Sequence, residues 1–194
     1  MERQISFAQY RAIDLTILMG VLALCQGLTF MACSIWFPNE LYVASPVAGM
    51  VALVMMRWGG YAGIHALLGG VLFAFLSGGS LEQILIYGLG NLAAMAALIM
   101  FRLKGKEEIR KNSFWTVFFG LLVQGLMWLG RAAMAALFGN SWGACLGFII
   151  TDVLSGLFTF LIVWVVRRID GLFEDQKNYL LRIQQPEQQY EGRE

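Results

Sequence analysis

Charge is scarce in this chain. Only 14% of its 194 residues are Asp, Glu, Lys or Arg, and 58% are hydrophobic. A soluble domain carries about 25% charged residues. There is too little polar matter to cover a water-soluble globule, so the composition points to an integral membrane protein. Cysteine is also sparse. Cys25, Cys33 and Cys145 fall in or beside apolar runs and form no CxxC pair, so neither a disulfide frame nor a thiolate metal site is expected. There is one histidine, His65, with no acidic partner three or four residues on, which argues against a metal centre. No HExxH, no GxSxG with a supporting histidine and no phosphate-binding lysine loop is present. The expectation is therefore a non-enzyme without a cofactor. No A-x-A-like cleavage site follows the first apolar run, so no cleavable leader is expected.

What the chain does have is long apolar runs. Six spans can be drawn, at about 13–37, 41–56, 58–76, 81–101, 114–138 and 142–166. A crossing helix needs about 20 apolar residues, which makes the second the weakest. Pro46 falls in its first turns, where a missing N–H costs least. Basic residues alternate between the connections. Arg3, Arg11, Arg57, the group Arg102, Lys104, Lys106, Arg110 and Lys111, and the pair Arg167 and Arg168 fall on one side. The connections 37–41, 77–82 and 139–142 contain none. By the positive-inside rule both termini are cytoplasmic. Trp36, Trp58, Trp115, Trp142 and Trp164 at the run ends suit interfacial belts. The expected fold is all-α: a six-helix membrane bundle over residues 1–168, followed by a cytoplasmic amphipathic helix and a frayed tail over 169–194. Ile169, Leu172, Phe173, Leu180 and Ile183 supply the apolar face of that helix, and the chain becomes Gln- and Glu-rich from Gln184.

The fifth run carries a charge. Arg131 lies well inside it, and charges at membrane depth face the protein interior or a water-filled cavity. Gln124, Trp128, Arg131 and Ala135 share one helical face. Counting about 1.5 Å per residue from the outer run ends, Arg131 lies about 10 Å deep, and Asp152 and Asn91 about 15 Å. Tyr87 is one turn above Asn91. Asp152, Ser155 and Thr159 share a face of the sixth run, and Gln26 of the first run is somewhat deeper. The candidate substrate-binding set is Arg131, Trp128, Gln124, Asp152, Asn91 and Tyr87. A guanidinium offers a planar two-toothed donor suited to a carboxylate or phosphate. The same Arg131 and Asp152 could equally form a structural bridge between two neighbouring helices. His65, deeper still, suits a helix–helix hydrogen bond.

Small residues four apart recur in the spans and let helix backbones approach. Gly20, Ala23 and Gly27 form such a face on the first run. The stretch Ala23-Leu24-Cys25-Gln26-Gly27 resembles the alanine-x-x-x-alanine motif on the first span of the substrate-binding S components of energy-coupling factor (ECF) transporters, with glycine in the second place. The turn Arg57-Trp58-Gly59-Gly60-Tyr61-Ala62-Gly63 is also similar to that family. The likeness runs from about Tyr10 to Arg168. It implies a multi-pass protein of the bacterial cell membrane that captures a vitamin or similar micronutrient near the outer face. It also implies partners: a transmembrane T subunit, met through Gly20, Ala23 and Gly27, and two ATPase subunits. The alternative is a membrane scaffold or assembly protein acting through its amphipathic tail. A closed core with Arg131 satisfied by Asp152 would favour the scaffold, and a cavity would favour capture.

Overall fold

The computed structural model describes residues 6–38 and 44–182. The expected outward connection at 37–41 lies largely outside the described residues, as do Ile183 and the Gln-rich tail. Among the described residues all regular structure is helical. Five stretches are long and apolar enough to cross a membrane: Phe7–Trp36, Val47–Leu76, Leu81–Leu103, Ser113–Leu137 and Trp142–Val166.

Helix α1 (Phe7–Trp36) starts before the apolar run. Ser6 and Gln9 form a capping box, with Gln9 N donating to Ser6 Oγ at 3.2 Å and Ser6 N to Gln9 Oε1 at 2.9 Å. The second stretch is folded in two. Helix α2 (Val47–Trp58) ends at Gly59, whose φ of +61° is open to glycine without strain. A single 3₁₀ turn, Gly59–Tyr61, then leads into α3 (Ala62–Leu76). Val47 at the head of α2 lies against Gly69 of α3, where a Cβ would come within 2.9 Å of Val47 Cγ1. The two helices therefore run back past each other. Every residue of α2 is buried. A helix buried on every side belongs inside a bundle. Its 12 residues are fewer than the roughly 20 that a crossing helix needs.

The third stretch comprises α4 (Leu81–Gly90), a 3₁₀ segment Asn91–Leu98 and α5 (Ile99–Leu103). A short α6 (Lys106–Lys111) precedes α7 (Ser113–Leu137), and the last stretch divides into α8 (Trp142–Ile150) and α9 (Val153–Val166). The main core forms around α2, with Leu22, Met55, Met56, Phe119 and Met127 among its largest side chains.

Charge gathers at one end, here called the basic end. Arg57 forms an ion pair with Asp14, Nε to Oδ2 at 2.9 Å and Nη2 to Oδ1 at 2.7 Å. Its Nη1 donates to the carbonyls of Gly171 and Leu172 at 2.8 and 3.1 Å. Trp58 Nε1 also donates to Asp14. The amphipathic helix expected from Ile169 is corrected here. Residues 167–174 make turns, Gly171 takes φ +70°, and helix begins only at 176 and runs through 182. The cause is Arg57, which holds two carbonyls that a helix would have needed, together with burial of Phe173, Glu174 and Gln176. Asp175 caps the restart, accepting from Lys177 N at 3.1 Å. At the far end, Asn140 Nδ2 donates to Glu82 Oε1 at 2.6 Å, tying together two of the connections that lack basic residues.

Candidate functional site

Glycines bring three helices close enough to build the site. A Cβ on Gly130 of α7 would overlap the carbonyl oxygen of Gly90 in α4, and one on Gly90 would lie 2.8 Å from the Arg131 backbone. A Cβ on Gly70 of α3 would likewise overlap the Tyr87 carbonyl. At such contacts only glycine lets the backbones meet. Arg131 is thereby set directly against Asn91, to whose Oδ1 its Nε donates at 2.7 Å.

Arg131 Nη1 donates to Asp152 Oδ2 at 2.6 Å, and both residues are buried, at 3% and 1% exposure. The same Oδ2 accepts from Trp128 Nε1 at 2.8 Å and from Gln124 Nε2 at 3.1 Å. Ser155 Oγ donates to Oδ1. Asp152 thus collects hydrogen bonds from four side chains. Asn91 is fixed on its other side, where Nδ2 donates to the Ala66 carbonyl at 3.2 Å. Thr159 Oγ1 orients Gln124 by donating to its Oε1 at 3.0 Å. A buried ion pair is sustained only when its remaining hydrogen-bonding groups are satisfied, and this network supplies those partners.

All six sequence-predicted residues meet here. Arg131, Asp152, Asn91, Gln124 and Trp128 join through polar atoms. Tyr87 enters through its ring, with the guanidinium carbon 4.8 Å from its centroid, a cation–π contact. Phe73 and Phe148 hold that ring from the sides at 4.8 and 5.6 Å. The network also reaches residues that were not in the candidate set. Ser45 N donates to Ser155 Oγ at 2.9 Å, and Ser45 Oγ to Gln26 Oε1 at 2.7 Å, which carries the chain of bonds to α1. The isolated amide of Gln26 was a usable signal; Ser45, between Ala44 and Pro46 in the second apolar run, offered none.

Asn91 and Asp152 share a further property. Asn91 opens the 3₁₀ segment within the third stretch, whose eight residues exceed the usual three or four. Asp152 sits in the break between α8 and α9. Two helices therefore lose their regular α pattern where they face Arg131. His65 lies apart, with Nε2 donating to the Leu15 carbonyl at 3.2 Å, a helix–helix bond of the expected kind. Gly20, Ala23 and Gly27 also lie apart. Gly20 and Ala23 are exposed, and nothing lies within 4 Å of a Cβ placed at Gly20 or Gly27.

A cavity of about 570 Å³ runs beside the network, lined by apolar residues of α7 with Ile149, and Trp128 forms part of its wall. Two smaller cavities lie at the basic end. Arg131, Asp152 and Asn91 line none of these three. Among the described residues, fold and site together define an all-helical type of chain with five stretches long and apolar enough to cross a membrane and an ion pair buried between its apolar helices. The chain matches no family model, no curated protein and no solved structure.

Proposed function

We propose that the protein is a six-span membrane subunit with both termini in the cytoplasm. It captures a small acidic micronutrient in the outer half of the bilayer, as the S component of an ECF-type importer does. One observation carries the reading: the helix irregularities at Asn91 and Asp152 converge on a buried arginine. Interrupted helices at membrane depth recur at transporter substrate sites, and intramembrane charges mark such sites. On this reading Asp152 occupies Arg131 while no ligand is bound, and a carboxylate or phosphate takes its place. Arg131→Ala weakens ligand binding by roughly ten- to a hundredfold, the worth of one or two charge-assisted hydrogen bonds. Arg131→Lys recovers part of this, since lysine lacks the fork.

The T subunit docks on α1 through Gly20, Ala23 and Gly27, and two ATPase subunits complete the complex. The exposure of Gly20 and Ala23 supports this, because Ala23→Trp puts bulk on an outward face and not into the protein's own core. The variant should lose T subunit and ATPases on co-purification yet bind substrate as before; undiminished co-purification removes the assignment. Topology is tested with Asn140→Cys, which should react with an impermeant thiol reagent from outside. Labelling only from the cytoplasm refutes it.

A second reading has its own support. Arg131 and Asp152 satisfy one another and line none of the three cavities, the closed-core arrangement that favours a scaffold over capture. The scaffold reading gains if Arg131→Ala destabilises the protein, Arg131→Ala/Asp152→Ala restores it, and no acidic compound distinguishes the double variant from the natural chain.

A further inference from the structure

We infer that the basic end holds one anionic phospholipid headgroup. This rests on the bundle crossing a bilayer and not on the transport reading. A cavity of about 190 Å³ opens there between α1, the Gly59–Tyr61 turn, the start of α6 and the helix over 176–182. Four cations line it: Arg11, Arg57, Lys106 and Lys177. They are not equivalent. Arg57 is committed to Asp14 and to two carbonyls, and Lys106 Nζ is paired with Asp175 Oδ2 at 2.6 Å. Arg11 and Lys177 have no acidic partner within 4 Å among the described residues. Among the described residues, with Asp175 paired to Lys106, the cavity therefore keeps an excess of positive charge.

Arg11 is held in place as well as charged. Its guanidinium carbon stands 4.2 Å over the Tyr61 ring centroid, and Phe7 and Trp58 complete an aromatic lip. Aromatic and basic side chains together are what the headgroup layer favours, and basic pockets between membrane helices bind anionic headgroups. A lipid is indicated over free phosphate by the surface that leads away from the cavity. Tyr61, Ile64 and Leu68 are large, exposed and spaced three and four apart, a strip along α3 running from the cavity toward the apolar middle of the bundle. A headgroup in the cavity would lay its acyl chains along that strip.

The test uses the full chain in neutral detergent and native mass spectrometry, with phosphatidylglycerol or phosphatidylcholine added. The expected result is one phosphatidylglycerol bound ahead of any further lipid and in preference to phosphatidylcholine. Arg11→Gln/Lys177→Gln should weaken that first binding by roughly tenfold or more. Arg102→Gln/Arg168→Gln, which removes two exposed cations elsewhere at this end, should leave it unchanged. Equal loss in both variants, or no preference between the lipids, overturns the inference. Displacement of the lipid by millimolar inorganic phosphate would make this a phosphate site and overturn the lipid assignment. If Arg11→Gln/Lys177→Gln does not stay monodisperse, Lys177→Glu alone, on an exposed side chain, must still weaken binding severalfold; unchanged binding refutes the site.

Discussion

Two arginines in this protein face an aspartate, and they are held in different ways. Arg57, at the basic end, spends Nε and Nη2 on both oxygens of Asp14 and Nη1 on two backbone carbonyls. Its geometry is that of a clamp: it joins α1, α2 and the turn after α9 and is built into the course of the chain. Arg131 touches a single oxygen of Asp152 and the side chain of Asn91, and no backbone carbonyl among the described residues. Its partners are all side chains. Chemistry of the same kind is thus tied to the backbone in one place and held by side chains alone in the other.

The largest effect is expected where the pair is driest. Asp152→Ala leaves Arg131 buried and uncompensated, which costs about 3–5 kcal/mol. Thermal unfolding in detergent should show it, and Arg131→Ala/Asp152→Ala should regain much of the loss. Next comes the close approach that sets the site. Gly130→Ala puts a methyl on the Gly90 carbonyl and must push α7 from α4, at about 1–3 kcal/mol. The same variant should disturb the Arg131–Asn91 contact. Arg57→Ala is expected to cost about 1.5–3 kcal/mol, the worth of hydrogen bonds to a charged group near water. Its distinguishing mark is local: the turn at 170–175 should become open to protease, whereas Asp152→Ala should leave it protected.

The smallest effect concerns α6. The Arg110 hydrogen bond holds the Glu107 carboxyl below its ordinary value, with Lys111 adding to it. A carboxylate depressed in the folded state stabilises above its unfolded value, and that contribution is lost as pH falls through the folded one. Glu107→Gln should therefore lower the melting temperature slightly at pH 7, where the contribution is present, and leave it unchanged once Glu107 is protonated, so that the fall on acidification below pH 4.5, the ordinary value, narrows. The side chain is exposed, so at most about 0.5 kcal/mol is expected.

The sequence showed one of these arginines as a candidate site and not the other. Arg131 stood out because a charge inside an apolar run is conspicuous, and helical spacing put Gln124 and Trp128 beside it. Asp152 and Asn91 followed from depth alone. Arg57 read only as a loop cation, because its partners are Asp14, forty-three residues away, and two backbone carbonyls that no residue type announces. For the same reason the turn at 169–174 read as helix: its apolar spacing is helical, but Arg57 takes the carbonyls. Tyr87, one turn from Asn91, meets the network through its ring face, which helical spacing does not specify. The irregularities at Asn91 and Asp152 carry no proline to mark them.

The central claim is that Arg131, unlike Arg57, is exchangeable and waits for an acidic ligand. It is tested most directly by the thermal shift of the purified chain against a panel of carboxylate- and phosphate-bearing vitamins, run in parallel on Arg131→Ala/Asp152→Ala. The account predicts at least one acidic compound that raises the melting temperature of the natural chain and leaves the folded double variant unmoved. No shift from any such compound, or the same shift in both proteins, would contradict it.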